Sequence, residues 1–176
     1  ANVLRVSDGL FLEEVRAVAA RFPQVRHDEV LVDAMAAHLV RDPGRYDVIV
    51  TTNMFGDIVT DLASVLQGGM GMAVGANVGR EHGMFEPIHG SAPRHAGKDK
   101  VNPIAMILSV KEGCDWLADR KDDPALKRAA EAIEGAVVEV LKAGRPLTYD
   151  LVGEGDAARC SEVGQAIADR ARSLAG

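Results

Sequence analysis

Asp57 and Asp61 stand four residues apart in a stretch with helical periodicity, so both carboxylates leave one helix face. Like charges at that spacing repel. A divalent cation would compensate them, because hard cations prefer oxygen ligands and Mg²⁺ typically takes one or two carboxylates plus substrate and water. The pair alone leaves a second reading open: a solvated helix start, where the helix dipole favours acids in any case. A second constellation runs from Phe85 to Pro103. It holds Glu86, His89, Ser91, Arg94, His95, Lys98, Lys100 and Asn102 but few large apolar side chains. Arg94, His95, Lys98 and Lys100 make it locally basic in an acidic chain, which suits a phosphate-bearing ligand. Long structured loops are disproportionately functional, although a merely solvated loop is the alternative.

Other candidates carry less. The run Gly69-Met70-Gly71-Met72-Ala73-Val74-Gly75 misses the G-x-G-x-x-G count by one residue. It also follows a helix and leads into a loop, the reverse of a strand–turn–helix context, so it is not a Rossmann fingerprint. A tightly turned connection or a glycine-relaxed strand fits it better. The five histidines show no metal-ligand spacing. His27 and His38 read as surface or core histidines, and Trp116 as core.

The elements that must position these residues follow from periodicity. Leu10, Phe11, Val15 and Val18 predict a helix from Ser7, capped by Ser7 or Asp8 and ended by Phe22-Pro23. Asp28 to Val32 reads as a short strand-like segment and Asp33 to Val40 as an amphipathic helix. Asp47-Val48-Ile49-Val50 reads as a fully buried strand of the parallel-sheet kind. Asn53 to Gly56 is a predicted turn and Asp57 to Leu66 a helix. The composition shifts after Gln67: Gly68, Gly69, Gly71, Gly75 and Gly79 crowd together, and Glu81 to Asn102 reads as loop. Helices are predicted over Pro103–Leu117, over Pro124–Lys142 with an inner stripe of Leu126, Ala129, Ile133, Val137, Val140 and Leu141, and over Ser161–Leu174 with Ser161 as cap. Arg145 to Gly155 reads as loop. The natural boundary lies near Gln67.

Composition narrows the function classes. The chain has 176 residues, 47% hydrophobic and 26% charged, with a formal net charge of -6. That apolar content excludes disorder, and the acidic balance argues against a nucleic-acid partner. Two cysteines, Cys114 and Cys160, form no disulfide scaffold and fit a reducing compartment, so a cytoplasmic location is expected. No apolar run is long enough to span a bilayer, and no basic-then-apolar leader opens the chain. Ala1-Asn2-Val3-Leu4 reads like the middle of an element, as in a piece of something longer.

Asn53-Met54-Phe55-Gly56-Asp57-Ile58-Val59-Thr60-Asp61, followed by Glu86-Pro87-Ile88-His89-Gly90-Ser91-Ala92-Pro93, resembles the signature pair of the β-decarboxylating dehydrogenases that act on isocitrate, homoisocitrate, 3-isopropylmalate and tartrate or malate. The resemblance covers essentially the whole chain, and two motifs in order and spacing make it specific. What the chain resembles is the C-terminal half of such an enzyme. The half with the substrate-binding arginines and catalytic tyrosine is not in the sequence, and the family's catalytic lysine would stand just before Ala1. The resemblance implies an α/β fold of two domains sharing a long sheet, not a classical Rossmann fold. Residues 1–67 would belong to the smaller, dimer-forming domain and residues 68–176 to the larger cofactor domain.

Residue by residue, the resemblance implies that Asp33, Asp57 and Asp61 hold Mg²⁺ or Mn²⁺, with Asp33 and Asp57 catalytic and Asp33 reaching the partner subunit's site in a homodimer. Asn2 would lie near the nicotinamide and substrate, Glu86 near the nicotinamide ribose, and His89 near the adenine. Gly90, Ser91 and Ala92 would face the pyrophosphate, and Asn102 would contact the adenine. The implied reaction is hydride transfer from a 2-hydroxy acid to NAD or NADP and loss of the β-carboxylate, with the metal as Lewis acid. NAD-dependent members usually carry Asp at the position of Arg94, whereas Arg94-His95 resembles the Lys-Tyr of NADP-dependent isocitrate enzymes. Tyr149 matches their phosphate-site tyrosine, but their arginine four residues further on is Gly153 here. NADP is therefore expected over NAD, since replacing Asp by Arg reverses the local preference toward a 2′-phosphate; the alternative is an outward-facing Arg94 with either cofactor accepted. Ser7-Asp8-Gly9-Leu10-Phe11-Leu12 resembles the isocitrate and homoisocitrate branch, and Val32-Asp33-Ala34-Met35-Ala36 the isopropylmalate branch. An isocitrate-like substrate is slightly preferred. The alternatives are a 3-isopropylmalate dehydrogenase and a non-catalytic, nucleotide-binding regulatory subunit.

Overall fold

A computed structural model describes residues 4–176 and divides into two compact units, Ala1–Leu66 and Gln67–Gly176. In the first unit, helices α1 (Ser7–Ala19), α2 (Val32–Arg41) and α3 (Asn53–Leu66) are joined by irregular chain. Its small core is Met35 and Leu39 of α2 against Val59 of α3, flanked by Val30, Val32, Tyr46 and Leu62. The apolar positions of α2 recur at helical spacing, which is why one stripe of it is buried. Neither Ser7 nor Asp8 caps α1 as expected. Their helix runs back a turn, with the amides of Asp8 and Leu10 bonded to the carbonyls of Leu4 and Val6.

Asp47–Val50 departs most from its reading. It forms no strand and lies at the surface, Val48 at 80% and Val50 at 65% exposure. A strand needs a neighbour to take its amides and carbonyls, and among the described residues none pairs with this segment or with 28–31. Apolar sequence made the strand plausible; only a paired sheet could have buried it.

The second unit begins where Gly68 (φ 115°) and Gly69 (φ 99°) stop α3, a conformation that glycine adopts without steric cost. Strand β1 (Val74–Val78) pairs antiparallel with β2 (Gly83–Pro87), in register Val74 with Pro87 through Val78 with Gly83. β2 lies inside the stretch expected to be loop: Phe85 and Pro87 are half-buried and Met84 and Glu86 exposed, but Gly83 and Pro87 are poor strand formers, and the tight turn across Gly79 and His82 sets the register. Helices α4 (Ile104–Lys121), α5 (Pro124–Ala143), α6 (Tyr149–Val152) and α7 (Cys160–Ala175) complete the unit. Ile104, Ala136, Val137, Val140, Leu147, Val163 and Ile167 form the core, where α4 and α7 pack on α5. Helix α5 matches its sequence signals: Asp123 caps it by accepting from the amides of Ala125 and Leu126, Pro124 opens it, and Gly144 (φ 71°) ends it. Ser161 is not the cap of α7. The Glu162 carboxylate reaches back to the Arg159 amide at 2.8 Å, and Ser161 instead bonds Asp99 through its amide (2.9 Å) and hydroxyl (2.6 Å).

No helix among the described residues is long and apolar enough to cross a membrane.

Candidate functional site

In the first unit, α3 starts four residues earlier than the sequence suggests. Asn53–Gly56 is its first turn, with the Gly56 amide bonded to the Thr52 carbonyl at 2.7 Å. Asp57 and Asp61 therefore sit beyond the first turn, and both are exposed. Dipole stabilisation of acids falls off within that turn, so the helix dipole contributes little to holding either carboxylate, although both remain solvated. Among the described residues no cation pairs with either carboxylate. Their neighbours point away: the Thr60 hydroxyl donates to the Gly56 carbonyl (2.8 Å) and the Ser64 hydroxyl to the Asp61 carbonyl (2.7 Å). An exposed, oxygen-only pair on one face fits a hard cation in donor chemistry. Asp33 lies on the first turn of α2, where its carboxylate accepts from the Ala34 amide at 2.8 Å. It lines a cleft of about 690 Å³ with Phe11, His27, Asp28, Thr51 and Phe55. The structure does not bring Asp33 to the pair: no group of three or more Asp, Glu, His or Cys converges among the described residues.

The second unit gathers several residues of the Phe85–Pro103 constellation together. A 3-10 turn, Pro93–His95, follows Ala92 in the left-handed conformation (φ 43°), and the chain then runs through Lys100 and Asn102 into α4. The His95 ring stacks on the Tyr149 ring of α6 at 5.9 Å between centroids and 27° between planes. The Lys100 ammonium lies 4.2 Å from the Tyr149 ring centroid, a cation–π contact, and pairs with Glu154 at 2.8 Å. Bonding to Glu154 raises the Lys100 pKa, so the ammonium stays charged at neutral pH. The Nδ1 of His95 is buried without a hydrogen-bond partner among the described residues. A buried, unsatisfied ring nitrogen is costly unless something else bonds it, which fits a bound ligand at this wall. Arg94, on the same turn, is exposed.

Asn102 sits behind this wall. It is 8% exposed. Its Oδ1 accepts from the Ile104 amide at 2.9 Å, and its Nδ2 donates to Asp150 at 3.0 Å and lies 3.8 Å from the Met72 sulfur. The side chain thus ties the start of α4 to α6. Asp150 also accepts from the Thr148 hydroxyl at 2.6 Å. Gly71 closes the cluster, for a Cβ there would lie 2.8 Å from Asn102 Cβ and 2.9 Å from the Asp150 carboxylate.

Of the remaining predicted site residues, Glu86 lies on β2, 3.5 Å from the Asn77 amide, and is exposed. His89 Nδ1 lies 3.0 Å from the Gly90 carbonyl, and Gly90, Ser91 and Ala92 are exposed, irregular chain after β2. Asn2 lies outside the described residues. Thr148, Asp150 and Gly71 are neighbours of this cluster that the sequence reading did not single out, whereas Lys100 was read there only as part of the basic segment. Thr148-Tyr149-Asp150 flanks the matched tyrosine and was the available signal; Gly71 gave none, because its constraint is a contact across the fold.

A family model described as isocitrate/isopropylmalate dehydrogenase matches residues 1–167. The chain belongs to the isocitrate/isopropylmalate dehydrogenase family. It is 45% identical over 174 residues to an isocitrate/homoisocitrate dehydrogenase of Thermus thermophilus, covering 99% of this chain and 49% of that one. It is 44% identical over 153 residues to a 3-isopropylmalate dehydrogenase of Saccharolobus solfataricus, covering 87% and 45%. The crystal structure of an isocitrate dehydrogenase from Methylococcus capsulatus superposes with a TM-score of 0.87 at 41% identity, covering 98% of this chain and 48% of that one. The chain spans about half the length of the relatives it matches. The small sheet and many helices described above are thus part of the family's α/β fold.

Proposed function

We propose that the protein containing this chain carries out metal-dependent oxidative decarboxylation of a 2-hydroxy acid of the isocitrate, homoisocitrate or 3-isopropylmalate type, with an isocitrate-like acid slightly preferred and NADP preferred over NAD. The observation that carries the reading is the wall of His95, Lys100 and Tyr149, with its unbonded buried ring nitrogen beside a cation, built by the segment that carries the family's cofactor motif. Glu86, His89, Gly90, Ser91 and Ala92 lead into that wall along the dinucleotide, and Arg94 adds a second positive charge next to His95. The cofactor, when bound, accepts the hydride. Asn102 holds the loop against α4 and α6 so that its backbone faces the adenine.

Residues 1–67 serve as part of the smaller, dimer-forming domain and residues 68–176 as part of the cofactor domain. Asp57 and Asp61 hold Mg²⁺ or Mn²⁺, which when bound stabilises the charge that develops on the substrate oxygen. The separation of Asp33 from this pair within one chain supports its service in the partner subunit's site of a homodimer. All three aspartates are present, which disfavours the regulatory-subunit reading. The 44% identity to an isopropylmalate dehydrogenase keeps that substrate as the second reading.

The test is turnover of isocitrate, homoisocitrate, 3-isopropylmalate and malate by the full-length protein with Mg²⁺, followed by reduced-cofactor absorbance with NADP⁺ and with NAD⁺. Turnover of isocitrate or homoisocitrate, at least tenfold better with NADP⁺, is expected. Turnover with NAD⁺ alone would overturn the cofactor preference, and nucleotide binding without any turnover would favour the regulatory subunit. Asp57→Asn should abolish the Mg²⁺ dependence together with turnover while nucleotide binding persists.

A further inference from the structure

Where the NADP-type family pattern places a second phosphate-site cation, this chain has Gly153, which carries no side chain and turns the backbone at φ 82°. The next residue, Glu154, is acidic. On its own this would weaken a phosphate site. Yet the structure brings a cation to the neighbouring residue from another element: Lys100, 54 residues before Glu154, reaches it at 2.8 Å and lies 4.2 Å from the Tyr149 ring centroid. Lys100 is 29% exposed at its side chain and Glu154 is 74% exposed, so one partner is anchored in the wall and the other stands in solvent.

We propose that Lys100 is a specificity-determining residue for the 2′-phosphate of the dinucleotide, replacing the arginine absent at Gly153, and that Glu154 is its resting counter-ion, displaced when the phosphate arrives. The inference rests on the NADP reading above. Its physics is an exchange of anions on one ammonium. An exposed carboxylate pair is held weakly, whereas a phosphate monoester brings roughly -1.5 to -2 charges and three strong acceptor oxygens. The ring face of Tyr149 keeps the ammonium in place during the exchange, and His95, stacked on the same ring, presents a buried nitrogen that has no partner among the described residues. Glu154 therefore acts against phosphate binding and Lys100 for it, so the two residues have effects of opposite sign.

The experiment is calorimetric titration of the protein with adenosine 2′,5′-bisphosphate and with 5′-AMP, which differ only in the 2′-phosphate. The parent is expected to prefer the bisphosphate. Lys100→Met should cut that preference by about tenfold, the scale of one charge-assisted contact, and leave 5′-AMP binding unchanged; Lys100→Arg should keep most of it. Glu154→Gln should tighten the bisphosphate severalfold without moving 5′-AMP. A parent preference that survives Lys100→Met, or a Glu154→Gln variant with unchanged or weaker bisphosphate binding, would overturn the role of Lys100 while the NADP reading stands. A parent with no preference would overturn the NADP reading itself, and this inference with it. Should Lys100→Met fail to fold, the sign of the Glu154→Gln effect decides.

Discussion

Replacing Asn102 by Asp changes one atom pair in a nearly buried cluster and leaves the shape alone. The variant keeps the acceptor for the Ile104 amide at 2.9 Å, so the start of α4 is still capped. The amide nitrogen that donates to Asp150 becomes a second carboxylate oxygen, 3.0 Å from the first. At neutral pH two effects add. Losing a hydrogen bond to a charged acceptor costs roughly 1.5–3 kcal/mol. Repulsion between the carboxylates adds about 1 kcal/mol, kept small because Asp150 is exposed and water screens it. The expected loss is about 3 kcal/mol. The pH dependence has a definite sign. Two carboxyls forced together hold a proton more tightly folded than unfolded, so the variant's deficit is full above the carboxylate range and shrinks as acid lets one proton bridge the pair. Trp116, the single tryptophan, lies on α4 and reports this unit. Urea unfolding followed by its fluorescence should show a midpoint about 1 M below the parent at pH 7, taking a slope of roughly 2–3 kcal/mol/M, and a smaller gap near pH 4. Asn102→Ala, which loses both bonds, should show a gap that acid does not close. Equal midpoints at pH 7, or an Asn102→Asp gap that persists at pH 4, would refute the assigned bonding.

Three further outcomes can be checked with the same fluorescence assay. Gly71→Ala should cost about 1–3 kcal/mol through overpacking, since its Cβ would fall 2.8 Å from Asn102 Cβ; a neutral result would mean the cluster can open freely. Arg120 donates to the carbonyls of Arg80 and, at 2.9 Å, Gly79, and its guanidinium lies 4.1 Å from the Trp116 ring centroid. Arg120→Met should cost about 1–2 kcal/mol and change Trp116 emission in the folded state, and unchanged emission would contradict the stacking. Lys111 pairs with Asp115 at 2.9 Å, Glu112 at 3.2 Å and Glu134 at 3.4 Å, and its bond holds the Asp115 carboxyl below the usual range. A depressed folded pKa means stability that is present above the ordinary carboxylate range and lost as pH falls through the folded value. The parent should therefore lose stability on acidification below about pH 5 more steeply than Lys111→Met, and parallel curves would refute the pairing.

The site was legible in uneven pieces. Arg94, His95, Asn102 and Tyr149 stand out because a polar, basic segment with a family motif is visible in one dimension. Their roles are a different matter. Asn102, expected to contact the adenine, uses its side chain on the Ile104 amide and on Asp150, and Lys100 gains its place from Tyr149 and Glu154, about fifty residues away. Asp57 was expected to open its helix, whereas α3 begins four residues earlier at Asn53.

By itself the sequence determined the elements whose signals are local: α5, read as Pro124–Lys142 and observed to run one residue further, the stripe of Val137 and Val140, and the end of α3 before Gly68-Gly69. Helices close their hydrogen bonds within a few residues, so periodicity and caps suffice to announce them. Tertiary structure decided everything that needs a partner distant in sequence. It paired β1 with β2, left Asp47–Val50 exposed and unpaired among the described residues, and gathered His95, Lys100 and Tyr149 into one wall. Strand pairing and side-chain convergence are properties of residues brought together by the fold, and no local pattern contains them.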